Sequence, residues 1–308
     1  MDKKQGRRVR NQVRGPEKAK SSPGSKQGQS KQRKDDIMSI AHHPVTAVAP
    51  TTPVYETIKV MVKAGFRRLP IVDPGTKKLL GIITVSDLID FLGGGLKYQI
   101  IEKKYGGSFY KAINEPIRTI MTTAVITIRS TAKISEAMEA MKKHNVGGLP
   151  VVDEDHIIQA IVSEQDIVRL HIGSIKGTPV SKVMTKEVVT EQPGTAIIDV
   201  EKRMIEKKFR RLPIVSDGKL IGLATVRSWL RFFGTNQVFQ HLQSGTIQQV
   251  LQTPAIEITM KDFPTIHPDA DVSDAIKLMR ETRRGSLLVV DNEELVGIIT
   301  ERDFFKLL

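Results

Sequence analysis

The chain contains no cysteine and a single tryptophan, and aromatic residues make up only 5% of its 308 positions. Without thiols, disulfide staples, cysteine nucleophiles and cysteine-liganded zinc or iron–sulfur sites are all excluded. Long hydrophobic runs are missing as well. The longest apolar stretches, such as residues 79–85, fall well short of a spanning helix. No apolar segment follows the basic opening, so neither membrane insertion nor a secretory signal is expected, and a cytoplasmic protein is the default. What remains is 40% hydrophobic and 26% charged, the balance of a soluble globular protein of about two domains.

Positive charge is in excess, +13 overall, but it is uneven: residues 1–36 carry +8 and the other 272 residues +5. That opening segment is rich in Gln, Ser, Gly and Lys, with Val9 and Val13 almost its only apolar side chains. It cannot bury enough surface to offset its chain entropy, so a disordered, solvated tail is expected. Weak contact with nucleic acid is the functional alternative, because attraction to phosphate needs no fold. The segment lacks the aromatics used in single-strand stacking.

An internal repeat organises the rest. The heptapeptide Phe66-Arg-Arg-Leu-Pro-Ile-Val72 recurs unchanged at Phe209 to Val215, with Gly147-Gly-Leu-Pro-Val-Val152 between them and Gly285-Ser-Leu-Leu-Val-Val290 after. Each is followed by an apolar strand ending in Thr84, Ser163, Thr225 or Thr300. Nine residues before Pro70, Pro150, Pro213 and Leu288 stand Met61, Met141, Met204 and Met279; sixteen before stand Val54, Ile134, Ile197 and Val272. That spacing is two helical turns, so both sets face one side of a helix, the methionines as core filler. Upstream again come Ile37-Met-Ser, Ile120-Met-Thr, Val183-Met-Thr and Thr259-Met-Lys. The unit reads as strand 45–48, helix 54–63, strand 69–72, strand 80–85 and a second helix from Asp87. At roughly 50–55 residues it is too small to stand alone, so copies should pair. Two long connectors and one short linker imply that a two-unit module was duplicated. The boundaries are a tail at 1–36, units at 37–93, 120–171, 183–234 and 259–308, helical connectors at 94–119 and 235–258, and a linker at 172–182.

The Met-Thr openings, the Leu-Pro-Val-Val strands and the segments Gly81-Ile-Ile-Thr-Val-Ser-Asp87 and Gly297-Ile-Ile-Thr-Glu-Arg-Asp303 resemble the cystathionine-β-synthase (CBS) domain family. The resemblance covers residues 37–308 and implies an α+β fold of four β-α-β-β-α repeats, paired into two Bateman modules that form a disc. The layout is similar to archaeal stand-alone four-CBS proteins and to the regulatory gamma subunit of AMP-activated protein kinase. It implies a non-catalytic sensor of AMP, ADP or ATP that acts on an unidentified regulated protein.

The residues support a site on physical grounds too. Thr84-Val-Ser-Asp87, Ser163-Glu-Gln-Asp166 and Thr300-Glu-Arg-Asp303 have the spacing of a capping box at a helix start. A helix N-terminus also suits phosphate, and a carboxylate there can accept both hydroxyls of a ribose diol. In the family that Asp binds ribose, and the Ser/Thr lies near ribose or phosphate. Unit three reads Thr225-Val-Arg-Ser228 and lacks the acid, so at most three good sites are expected. Arg67, Arg68, Arg210 and Arg211 occupy turns where units two and four carry Gly147-Gly148 and Gly285-Ser286. The plain reading is a solvated turn at a helix C-terminus. The alternation instead sets a basic turn beside a small one in each pair, and the family places basic residues there on phosphates. Arg283 and Arg284 are weaker candidates. The resemblance also assigns Thr46, Thr127 and Thr265, on the first strands, to the edge of the base.

Gly93-Gly94-Gly95 lacks the Lys-Ser/Thr ending of a phosphate loop and reads as a helix stop with a flexible connector. The histidines are dispersed, so no metal site is expected. No nucleophile–base pair stands out, and repeats and connectors use every residue after 36, so no catalytic domain is expected. S-adenosylmethionine remains an alternative ligand, since an acid–diol contact selects ribose without selecting phosphate. The sequence leaves open whether one chain closes its own disc or two associate as a homodimer.

Overall fold

The computed structural model describes residues 35–171 and 177–308; the tail expected at 1–34 and linker residues 172–176 lie outside the described residues. Repeat 1 comprises helix α1 (Val54–Ala64), strands β1 (Arg68–Val72) and β2 (Leu79–Thr84) and helix α2 (Val85–Leu92). A connector with helices α3 (Tyr98–Tyr105) and α4 (Phe109–Ile113) leads to repeat 2: β3 (Ile128–Arg129), α5 (Ile134–His144), β4 (Gly148–Val152), β5 (Ile158–Ser163) and α6 (Glu164–Leu170). Repeat 3 holds α7 (Ile197–Glu206), β6 (Arg211–Ser216), β7 (Lys219–Thr225) and α8 (Val226–Gly234). Helix α9 (Ile247–Leu251) lies in the second connector, and repeat 4 holds β8 (Thr265–Ile266), α10 (Val272–Glu281), β9 (Ser286–Asp291), β10 (Glu294–Thr300) and α11 (Glu301–Lys306). Among the described residues no helix is long and apolar enough to cross a membrane.

The periodic positions are core. Met61, Met141, Met204 and Met279 are at most 5% exposed, and Val54, Ile134, Ile197 and Val272 are buried beside them. In each repeat the two long strands pair antiparallel. The first strand is shorter than expected in repeat 1, reduced to a single parallel bridge from Val48 to Ile71. Two-residue first strands form both in repeat 2, which carries Pro150 at the position of Pro70, and in repeat 4, where the equivalent Leu288 N–H donates to Pro264 O at 3.2 Å. The second helix starts at Val85 rather than Asp87, because Thr84 is its N-cap and Asp87 its third residue.

Repeats pair within a module by exchanging their opening segments. Thr122 and Ile82 trade both backbone bonds at 2.9 Å, and His42 with Ile161, Thr185 with Ile298, and Met260 with Leu223 do the same at 2.8 to 3.1 Å. The glycine of the Gly-apolar-apolar-Thr motif makes this possible. A Cβ on Gly81 would press on Met121 and Thr122 O, and one on Gly297 on Met184 and Thr185 O. The Met-Thr and Gly motifs are therefore two sides of one interlock. Asp36, assigned to the tail from sequence, instead caps residues 37–39 and bridges Lys133, so the tail gives way to repeat structure by Asp35.

Helices join the modules. Helix α1 packs on α8 and α2 on α7, uniting repeats 1 and 3, while α6 packs on α11, uniting repeats 2 and 4. Gly234 lets α8 approach Ile58 and Val62 of α1 closely. Two apolar cores result, one shared by repeats 1 and 3 with the connectors, the other by repeats 2 and 4. The scarce aromatics concentrate in the first: Trp229 stacks on Phe233 at 4.4 Å, and Phe109 contacts Phe233 and Phe239.

Candidate functional site

All four Thr/Ser residues form the expected capping box. The Thr84 N–H and hydroxyl both donate to Asp87 Oδ2, at 2.9 and 2.6 Å. Ser163 binds Asp166 Oδ2 at the same two distances, and Thr300 binds Asp303 Oδ2 twice at 2.9 Å. In repeat 3, Ser228 Oγ accepts from Thr225 N–H at 2.9 Å, which preserves the cap without the charge. Capping and ligand binding are compatible, because the cap uses only Oδ2 of each acid and leaves Oδ1, an acceptor with two lone pairs, outside it.

Open cavities lie beside these acids: one of about 370 Å³ joins Asp87 to Met204, Phe209 and Arg210 of repeat 3, and two clefts are each built from both repeats of one module. The first of these clefts, of about 310 Å³, joins Thr84 and Asp87 to Thr122, Val125, Ile126 and Pro150 of repeat 2. The second, of about 180 Å³, joins Thr300, Asp303 and Ile298 to Val188, Val189, Phe209, Arg211 and Pro213 of repeat 3. In both, apolar strand residues form a slot of the kind a flat ring enters, next to a carboxylate. Neither Asp166 nor Ser228 lines these two clefts. Asp166 Oδ1 accepts from His42 Nε2 at 2.9 Å, much as Asp87 Oδ1 accepts from Lys97 Nζ at 2.7 Å. The cavity at Thr225 is only about 50 Å³, with Met260 sulfur receiving both Thr225 Oγ1 and Arg284 Nη1.

Between the clefts the charge is one-sided. Arg67 and Arg210 line both of the module clefts, Arg68 lines the first and Arg211 the second. The glycine turns of repeat 2 are what admit them: a Cβ on Gly148 would overlap the Arg68 guanidinium, and one on Gly147 would press on both Arg68 and Arg210. Burial, then repulsion from Arg67 and Arg210, pulls the Arg68 guanidinium down to about 10, and the same causes pull Arg211 down to about 10. Arg210 and Arg227 are also lowered, by burial first and Arg67 next. All stay cationic near neutrality, but each raises the energy of the others. Glu164 and Glu301 oppose them only in part: Arg302 holds Glu164 at 3.2 Å, Arg67 lies 3.6 Å from Glu301, and Gln165 donates to Glu301. The arrangement favours an anion at this centre.

The structure thus gathers Thr84, Asp87, Thr300, Asp303, Arg67, Arg68, Arg210 and Arg211 around two clefts. It sets Ser163 and Asp166 beside His42, and Thr225 in the small cavity of about 50 Å³. Thr46, Thr127 and Thr265 lie outside the linings of these cavities, and Thr265 is instead paired with Leu288 in its sheet. The linings take earlier positions of the first strand, residues 124–126 and 187–189, because the strand crosses the slot before it enters its own sheet. Sequence reasoning missed Glu164, Glu301 and Arg302, although they stand inside the motifs it had singled out. It also missed His42, which reaches Asp166 across the fold, and Lys97, which folds back on Asp87 from the start of the connector.

A CBS domain model matches residues 35–94, 117–173, 180–234 and 255–308, and the chain belongs to the CBS domain family. It is similar to the protein MJ1225 of Methanocaldococcus jannaschii, 36% identical over 88% of this chain and 98% of that protein. A crystal structure of MJ1225, proposed as an archaeal homologue of g-AMPK, superposes with a TM-score of 0.83 over 88% of this chain and 99% of that one, at 35% identity. A 33.4 kDa protein of the ribosomal RNA operon of Thermofilum pendens is 30% identical over 86% of this chain and 89% of that protein.

Proposed function

We propose that this CBS protein is a non-catalytic regulator that binds AMP, ADP or ATP in the Asp87 and Asp303 clefts and passes occupancy to a partner protein through the geometry of its modules. The observation that carries the reading is the convergence of Arg67, Arg68, Arg210 and Arg211, mutually destabilised, on two clefts that each hold an apolar slot and a carboxylate oxygen outside its cap. Ribose suits the carboxylate, the base suits the slot, and phosphate relieves the repulsion among the arginines. The likeness to MJ1225, proposed as a homologue of g-AMPK, supports the same class. Regulation requires only that ligand favour one arrangement of the modules over another, typically by about 1–3 kcal/mol.

Calorimetric titration with AMP, ADP and ATP tests this. Asp303→Ala is expected to weaken one site about 10- to 100-fold, the loss of a charge-assisted contact. Unchanged affinity and stoichiometry would reduce Asp303 to a cap. Glu187 lines the Asp303 cleft and would suit the cationic sulfonium of S-adenosylmethionine. Adenosyl binding that survives Arg68→Ala and Arg211→Ala but not Asp87→Ala would favour that ligand instead.

A further inference from the structure

Asp87, Asp166 and Asp303 differ in what already holds the oxygen outside the capping box. Lys97 Nζ lies 2.7 Å from Asp87 Oδ1, which Thr122 Oγ1 also approaches at 3.5 Å, and His42 Nε2 lies 2.9 Å from Asp166 Oδ1, whereas among the described residues the cation paired with Asp303 Oδ1 is the exposed Lys306, at 3.8 Å. Lys97 belongs to the first connector, not to either repeat of its cleft, and its ammonium also donates to Ile120 O at 2.8 Å. Its backbone is anchored independently of the side chain, since the Asp90 carboxylate accepts from the N–H groups of Leu96 at 2.7 Å and Lys97 at 3.4 Å. The ion pair is largely withdrawn from water, with Lys97 29% and Asp87 15% exposed.

We propose that Lys97 sets the affinity of the repeat 1–2 cleft by competing with the ligand's diol for Asp87, so that the Asp303 cleft fills first; this rests on the nucleotide reading above. A diol entering at Asp87 must take lone pairs that the ammonium holds, leaving Lys97 with Ile120 O alone. No such exchange is required at Asp303. The connector therefore reads occupancy of one cleft directly, through release of its own lysine.

Calorimetry on the full chain with adenosine, and separately with AMP, tests the proposal. Adenosine presents the diol without phosphate, so a change of charge at residue 97 does not act on a ligand anion. The tighter event is expected to vanish with Asp303→Ala and the weaker with Asp87→Ala. Lys97→Met should tighten the weaker event about tenfold and leave the tighter one within about twofold. Lys97→Gln, which keeps length and a donor, should give an intermediate gain and serves if the Met variant melts early. An Asp87 event that is unchanged or weaker in a lysine variant of normal melting temperature overturns the proposal, and weakening would make Lys97 a ligand contact. Binding that depends on neither acid would overturn the nucleotide reading itself, and this proposal with it.

Discussion

A single missing methyl group decides where the positive charge sits. Arg68 occupies space that a Cβ on Gly148 would fill, so the alternation of Arg-Arg with Gly-Gly turns, visible in the sequence, is one packing arrangement seen from two sides. Gly148→Ala is expected to cost about 1–3 kcal/mol by overpacking and to displace Arg68, lowering both the melting temperature and the affinity for ADP. A variant with normal stability and normal ADP binding would show that Arg68 does not serve the cleft. The acids were equally legible, since their capping spacing recurs in register. His42 and Lys97 were not: His42 reaches Asp166 from 124 positions away, and no local pattern announces such a contact. Thr46, Thr127 and Thr265 are assigned by family resemblance alone; residues 124–126 rather than Thr127 line the first cleft, and Pro264 rather than Thr265 lines the small cavity at Thr225.

At the scale of elements, the 3.6-residue spacing identified α1, α5, α7 and α10 and their buried faces, because methionine and β-branched residues recur at fixed distances from each strand. It could not say which helix covers which, since an apolar stripe does not name its partner. The run Gly93-Gly94-Gly95 shows the difference. It does end α2, but Gly93 is also the surface against which the Glu201 carboxyl of α7 lies, and Gly95 yields space to Asp90. Glu201 is 1% exposed with no hydrogen-bond partner for either oxygen. Burial pushes its carboxyl well above the ordinary 4.5, so the folded chain keeps a proton that the unfolded chain releases. The stability associated with that proton is present in acid and is lost as pH climbs from about 4.5 through the raised folded value. Glu201→Gln should therefore gain on the wild type as pH rises from about 5 to about 8, by at least about 1 kcal/mol. Thermal melting across that range checks this, and parallel curves for the two proteins would contradict it.

Across the whole molecule, each apolar core draws on both modules: repeats 1 and 3 share one, repeats 2 and 4 the other. Neither module can unfold without exposing the partner's half, so residues 35–308 should melt in one transition whose calorimetric and van't Hoff enthalpies agree. Two resolved transitions would mean that the modules are energetically separate. Ligand at a hundred times its dissociation constant should stabilise the fold by about 2.7 kcal/mol per occupied cleft. The count of repeats and their pairing were legible from periodic motifs. How the four quasi-equivalent clefts differ was only partly so: the absent acid in repeat 3 is written in the sequence, whereas His42 on Asp166, Lys97 on Asp87 and Met260 beside Thr225 emerge only in the folded chain. The most direct test is equilibrium dialysis with labelled AMP, counting ligands bound per chain at the lowest concentration that fills the wild-type clefts, where a site weakened about 10- to 100-fold stays largely empty. The expected result is two, falling to one in Asp303→Ala and to one in Asp87→Ala; none bound, or a number that neither substitution moves, would contradict it.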